Sequence, residues 1–407
     1  MRKTINIGDL GTIITGKTPP TTNKNYYGDY AVFIKPTDIS EQSKYTYETE
    51  EMYSKLAAEK YESSLIPKGA ICVPCIGTIG TKMTMAPCDC YTNQSINSII
   101  CNENYDNEYV YYLIKNFLPG LKAYNLGTAS GREYVSKSNF EKIELVAEQD
   151  KEIQKKIGVI LSRYDSLIEN YQKQIKLLEE AAQRLYKEWF VDLRFSGHEN
   201  TNIIDGVPEG WEKKTIDDVT CKITTGLNPR KNFVLGKGSN YYVTIKNMAD
   251  NTLFLDDRCD RVDNEALEKI NKRSDLKIGD ILFSGIGTIG RVALVDIPTN
   301  NWNVSESVFT LRANDIVTKE FLYLMLLSPD MQNYCQSNAH GAAQKGIRMA
   351  DLKAYSFNLP PFGVIQKFTN LVTPTIKKVS SIRNQIRLLT EARDRLLPKL
   401  MSGEIAV

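Results

Sequence analysis

Apolar residues recur in steps of three and four along Ile153, Ile157, Ile160, Tyr164, Ile168, Tyr171, Ile175, Leu178, Ala182, Leu185 and Trp189. That spacing keeps one face of an α-helix apolar and predicts a long helix with a single stripe. A second stripe runs through Ile365, Phe368, Val372, Ile376, Val379, Ile382, Ile386, Leu389, Leu396 and Leu400. Each contains two consecutive four-residue steps, in the first at Ile160, Tyr164 and Ile168, a stutter that locally unwinds a supercoil. A long helix with one apolar stripe is not stable alone in water, and the matched irregularity makes each stripe the other's nearest candidate partner. The pattern therefore predicts an intramolecular antiparallel coiled coil, the alternative being two helices packed separately on their own domains. Pro374 predicts a bend in the second helix or its true start, because proline lacks a backbone donor and clashes with the preceding turn.

Ahead of each stripe lies a region of short β-type runs, such as Ala31-Val32-Phe33-Ile34, Ala70-Ile71-Cys72-Val73 and Asp280-Ile281-Leu282-Phe283, broken by Gly, Asn and Pro. These regions are copies of one another. Ile76-Gly77-Thr78-Ile79-Gly80 returns 210 residues later as Ile286-Gly287-Thr288-Ile289-Gly290, and Gly69, Asn93 and Ser95 return at the same offset as Gly279, Asn303 and Ser305. In the helices Ile153-Gln154-Lys155 matches Ile365-Gln366-Lys367 at an offset of 212, and Gln174-Ile175 matches Gln385-Ile386 at 211. Two copies of one unit imply two similar domains related by a pseudo-twofold axis, which is how proteins meet a two-part DNA site; duplication without function is the bland alternative. The expected class is α+β: two tandem pseudo-symmetric strand-rich globular domains separated by two long helices.

At 407 residues the chain accommodates at least two cores, and its 42% hydrophobic and 25% charged residues are those of a soluble folded protein. No run approaches a membrane span, and Met1-Arg2-Lys3-Thr4 leads into a mixed polar segment, so the cytoplasm is the expected compartment and the eight cysteines are expected as reduced thiols. The net charge of +2 gives no basic footprint, although 362–407 carries eight Lys or Arg against three Asp or Glu. Any DNA affinity must come from local patches.

Several motif matches fail on context. Gly11 to Thr18 spells a Walker A loop, yet Pro19-Pro20 and a polar stretch follow where a helix should start, and the second copy keeps Gly226 but continues Leu227-Asn228. Gly285 to Gly290 spells a dinucleotide fingerprint, but Arg291-Val292-Ala293-Leu294-Val295 reads as a strand. A glycine-rich hairpin tip fits better, either approaching a phosphate or base edge or simply turning a sheet. Cys72, Cys75, Cys88 and Cys90 could suggest zinc, but Leu282, Gly285, Pro298 and Asn300 stand in their places in the second copy, so no metal is expected. Asn358-Leu359-Pro360-Pro361-Phe362 approximates an adenine methyltransferase loop but its extra leucine spoils it, and with only His198 and His340 available the chain is not expected to be an enzyme.

Three segments carry a resemblance: Leu185-Tyr186-Lys187-Glu188-Trp189-Phe190-Val191-Asp192, Val207-Pro208-Glu209-Gly210-Trp211-Glu212, and Leu359-Pro360-Pro361 with Gln366. Over essentially its whole length the chain resembles the specificity subunits of type I restriction-modification systems. It departs from that pattern where Leu145-Val146-Ala147-Glu148-Gln149 replaces the leucine-proline-proline entry, so the first helix is expected to start differently. The resemblance implies target recognition domains at 1–147 and 198–361 and helical spacers at 148–197 and 362–407. It further implies that each recognition domain reads one half of a bipartite double-stranded DNA target, that two adenine methyltransferase subunits dock on the helices, and that two motor-nuclease subunits join them. S-adenosylmethionine, ATP and magnesium would belong to those partners, leaving none for this chain. A helix from Ile153 to Trp189 would span about 54 Å at ~1.5 Å per residue, so helix length would set half-site spacing.

DNA readout needs cations and amides on loops. The first copy offers Lys17, Thr18, Thr21, Lys24, Asn25, Lys35, Thr37 and Arg132, and the second Asn228, Arg230, Lys231, Lys246, Asn247, Gln344, Lys345 and Arg348. The loops 127–132 and 341–348 occupy matching positions before each helix and are the favoured contacts. The rival readings are a structural adaptor, which would not bind duplex DNA, and a nucleotide hydrolase, which would turn over ATP.

Overall fold

Strands Ile71–Pro74 and Ile281–Ser284 are buried along their whole length, which is why they read as unbroken apolar runs rather than as alternating ones. Each sits inside a four-stranded sheet of the same order. The first runs Gly11–Thr15, Ile96–Cys101, Ile71–Pro74, Thr84–Met85, and the second Thr220–Thr225, Val308–Ala313, Ile281–Ser284, Val292–Leu294. Parallel pairs are matched too: Ala31–Ile34 beside Tyr91–Thr92, and Asn240–Val243 beside Trp302–Val304. So are the closing ladders, Arg2–Asn6 with Glu144–Glu148 and Glu212–Thr215 with Ser356–Leu359. These descriptions come from a computed structural model and cover residues 2–77, 79–127, 133–249, 251–341 and 345–407. Among them no helix is long and apolar enough to cross a membrane.

The chain divides into two compact units, each assembled from both halves of the sequence. Unit 1 is Met1–Gln172 with Gln385–Val407, and unit 2 is Lys173–Asn384. The helices Lys151–Phe190 and Phe362–Ser402 each contribute to both. In unit 1, Ile157 and Leu161 share a core with Leu397, Leu400 and Met401, and Arg2 donates to the carbonyls of Met401 and Leu400 at 2.9 and 3.0 Å. In unit 2, Arg383 meets Glu179 at 2.6 Å, while Trp189 packs on Phe368 with ring centroids 5.7 Å apart. In both units the partner position falls as the first helix advances, so the expected antiparallel pairing is present.

Three details of the helical expectation change. Buried positions near both ends of the two helices correspond at an offset of 211, Gln154 with Ile365, Ile157 with Phe368, Leu161 with Val372 and Trp189 with Leu400. The letter match of Ile153 to Ile365 is therefore out of register by one. The double four-step of the first helix runs Ile157, Leu161, Asp165, not Ile160, Tyr164, Ile168; a carboxylate occupies the seam because a cation meets it there. Pro374 neither starts nor ends its helix, which runs unbroken from Phe362 to Ser402. Both Pro374 and Asn370, whose carbonyl loses its donor, are exposed, so water can satisfy that carbonyl. The two helices do begin differently. The Asp150 carboxylate accepts from the amide of Glu152 at 2.9 Å, whereas the Pro361 carbonyl accepts from Val364 at 2.8 Å.

Gly16 and Gly226 mark the same crossing in each unit. A Cβ at Gly16 would lie 2.1 Å from the Thr92 carbonyl oxygen, and one at Gly226 would lie 1.6 Å from that of Val304. Both contacts are backbone and cannot rotate away. Gly226→Ala is expected to cost about 1–3 kcal/mol in urea unfolding, the usual range for overpacking; an unchanged midpoint would show that the crossing can open.

Candidate nucleic-acid interface

The glycine-rich tips meet the segments 133–135 and 345–347 that lead into the next short helix; of the two favoured loops, 128–132 and 342–344 lie outside the described residues. Gly77 and Gly80 have φ of +84° and +74°, and Gly287 and Gly290 have +82° and +89°, a left-handed conformation that side-chain-bearing residues rarely adopt. In unit 1 the amide of Gly77 donates to the Glu133 carbonyl at 2.9 Å, Ile76 bridges to Tyr134, and Val135 donates to the Cys75 carbonyl at 2.9 Å. In unit 2 the amide of Gly287 donates to the Lys345 carbonyl at 2.8 Å, Ile286 bridges to Gly346, and Ile347 donates to the Gly285 carbonyl at 2.8 Å. Each tip is held to that segment by paired backbone hydrogen bonds, and at Gly77 the backbone is open, a Cβ there meeting nothing within 4 Å. Such a turn can come close to a phosphate backbone.

The loop then feeds a short helix, Lys137–Glu141 or Met349–Lys353. Ser136 caps the first, accepting from the amide of Asn139. Arg348 stands at the same cap position in unit 2 and makes no side-chain cap bond. Its side chain is exposed, so a guanidinium is presented from a fixed backbone position beside the tip. Lys345, also exposed, lies three residues earlier. Arg132 and Gln344 lie outside the described residues.

A second surface follows the first sheet strand of each unit. Lys17 donates its amide to the Thr92 carbonyl at 2.9 Å and its ammonium to the Ser63 hydroxyl at 3.2 Å, and the Thr18 hydroxyl donates to the Gln94 side chain. Thr21, Lys24 and Asn25 continue the loop, all exposed. In unit 2 the Asn228 amide donates to Glu306 at 2.8 Å, and Arg230 and Lys231 are exposed on the short helix Pro229–Asn232. Gln94 was not singled out in the sequence; its place between Asn93 and Ser95, both repeated in the second copy, was the available signal.

Other candidates are engaged within the fold. Lys35 is ion-paired with Glu50 at 2.7 Å and Glu51 at 3.2 Å. Partial burial would lower its pKa, but the bonds to those two carboxylates hold its ammonium above the usual lysine value. Asn247 is buried, and its side-chain carbonyl accepts from the Thr244 amide at 2.9 Å, a capping role. Thr37 and Lys246 are exposed.

The competing motifs dissolve in the same geometry. Amides of the Walker-like string are spent inside the fold, Gly16 on the Ile96 carbonyl at 3.2 Å and Lys17 on Thr92, so they make no phosphate cradle. Gly285 to Gly290 joins two antiparallel strands, Ile281–Ser284 and Val292–Leu294, with no helix to receive a pyrophosphate. Burial pushes the thiols of Cys72 and Cys75 up to about 12, which suits packing rather than reactivity.

One strand-rich module, folded twice with matched topology and with the same backbone bonds holding a glycine tip to the segment before a short helix, defines a two-domain recognition protein. The family model for the type I restriction modification DNA specificity domain matches residues 2–180 and 208–386, and the chain belongs to that family, whose specificity subunits are non-catalytic recognition components. It is 28% identical over 407 residues to the type I restriction enzyme MjaIX specificity subunit of Methanocaldococcus jannaschii, covering 98% of this chain and 93% of that one. A stretch of 165 residues is 38% identical to the type I restriction enzyme HindI specificity subunit of Haemophilus influenzae, covering 39% and 35% of the two chains. The fold resembles the crystal structure of the S subunit of a type I restriction-modification system from M. genitalium, with a TM-score of 0.55, 16% identity, and 98% and 96% of the chains covered.

Proposed function

We propose that each unit reads one half of a bipartite double-stranded DNA target through its tip-and-loop surface, with the Lys17 and Asn228 loops as flanking contacts. The observation that carries this is the repetition itself: the same backbone bonds join tip to loop in both units, while the exposed side chains differ. Equal scaffolds with unequal side chains are what two different half-sites require.

The long helices dock two adenine methyltransferase subunits and set the half-site spacing, and two motor-nuclease subunits complete the complex. Leu177 and Leu388 favour equal docking places: they correspond at the helical offset of 211 and are 65% and 49% exposed, apolar surface that a partner would cover. Methyl donor, ATP and magnesium are carried by those partners, in the cytoplasm. Sequencing the methylated sites of a host that expresses this chain with its partners tests the whole reading; a continuous rather than split methylated motif would refute it.

Arg348→Ala is expected to weaken binding to one half-site and to lower the slope of log affinity against log salt by about one if it contacts phosphate, or to relax base preference at one position if it contacts a base edge. Titrating labelled duplex at several salt concentrations distinguishes these outcomes, and no change in either would remove Arg348 from the interface.

A further inference from the structure

The two units place opposite chemistry at one equivalent layer of their paired helices. The helical offset of 211 relates Asp165 to Ile376 and Ala182 to Arg393. The capped domain helices, which begin after Asp106 and Thr318, relate Tyr112 to Leu324 and Lys115 to Leu327. In unit 1, Asp165 and Arg393 are 4% and 6% exposed and ion-paired, the Tyr112 hydroxyl donates to Asp165 at 2.5 Å, and Asp394 holds Arg393 at 2.7 Å. In unit 2 the four counterparts, Ala182, Leu324, Leu327 and Ile376, all line one cavity of about 260 Å³.

We infer that the Asp165–Arg393 pair is a selectivity lock: it admits pairing of the first long helix with the second and excludes pairing of like helices between two copies of this chain. Antiparallel association of two first helices would set Asp165 against Ala182 at both layers. Association of two second helices would set Arg393 against Ile376, beside Leu324 and Leu327, with Asp394 and the Asp296 of that cavity in place of its buried partner. Tyr112 and Lys115 travel with Asp165 and leave it without a guanidinium in the first-helix pairing. A buried charge facing an apolar side chain is strongly unfavourable, whereas a buried pair replaced by apolar residues is often as stable or more so. The pair therefore contributes selectivity more than stability, as a single polar seam residue does in fixing coiled-coil partners.

The test compares full-length wild type, D165I/R393A and D165R/R393D by sedimentation velocity over a concentration series and by urea unfolding. D165I/R393A, which gives the two long helices of unit 1 the residues that unit 2 carries at this layer and keeps Tyr112 and Lys115, is expected to remain folded and to self-associate at least about tenfold more tightly. D165R/R393D, which restores the charge pair in reverse, is expected to keep wild-type association. Unchanged association of folded D165I/R393A overturns the inference, as does equal tightening in D165R/R393D. Failure of D165I/R393A to fold overturns it as well, because the pair would then be a stability element.

Discussion

Phe368→Ala is expected to destabilise unit 2 by about 3–5 kcal/mol, the range for truncating a fully buried aromatic residue. Phe368 has no exposed surface, and the rings of Phe190, Trp189 and Tyr186 stand 4.7, 5.7 and 6.2 Å from it, with Phe321 behind Phe190 at 5.0 Å. This cluster ties the end of the first long helix to the start of the second and to the helix Lys319–Leu326. The alanine leaves a ring-sized void that a backbone fixed at so many points cannot close. Urea unfolding followed by tryptophan fluorescence and by circular dichroism measures the loss. Leu388→Ala, at a half-exposed helical position, is the control and should stay within about 0.5 kcal/mol of wild type. A loss under about 1 kcal/mol for Phe368→Ala would mean that the rings do not hold the helices together.

Asp165→Ala is expected to cost about 3–5 kcal/mol in unit 1, because it leaves the Arg393 guanidinium buried and short of its partner. Burial alone would raise the Asp165 pKa, but the Lys115 ammonium, the Arg393 guanidinium and the Tyr112 hydroxyl outweigh it and hold the carboxyl below the ordinary range. A carboxyl so depressed contributes stability that is present above its unfolded pKa of about 3.9 and is lost as pH falls through the lower folded value. The difference in unfolding free energy between wild type and Asp165→Ala should accordingly be constant from neutral pH to about 5 and shrink below about 4. A difference that stayed flat into acid would show that Asp165 is not paired as a carboxylate.

The long helices, their antiparallel sense and the repeated domain were legible because periodic burial leaves a direct trace in letters. Asp165 and Arg393 were not. The apolar stripe runs through Tyr164 rather than Asp165, and from Leu389 to Leu396 across the position that Arg393 fills. Seam charges are visible only once each is seen to face the other, 228 residues apart. The recognition surface was half legible for the same reason. Gly77 and Gly287 announced a turn, but their bonds to Glu133 and Lys345 join loops far apart in sequence. Loop position favoured Arg348, but polarity alone kept Asn247 and Lys35 among the candidates, although one caps a buried turn and the other is held by two carboxylates.

Unit 1 draws its last helical segment, Gln385–Val407, from the final stretch of the chain. On the ribosome, everything up to Gln172 has emerged long before that segment exists, a wait of roughly 10–50 s at ordinary elongation rates. During that interval Ile157, Leu161 and the Asp165 carboxylate have no mate from Arg393, Leu397 or Leu400. Unit 2, which is one continuous stretch, can close first. Nascent chains should therefore acquire protease resistance in the reverse of their order of synthesis, and a premature stop just after Asn384 would spoil the domain nearest the N-terminus.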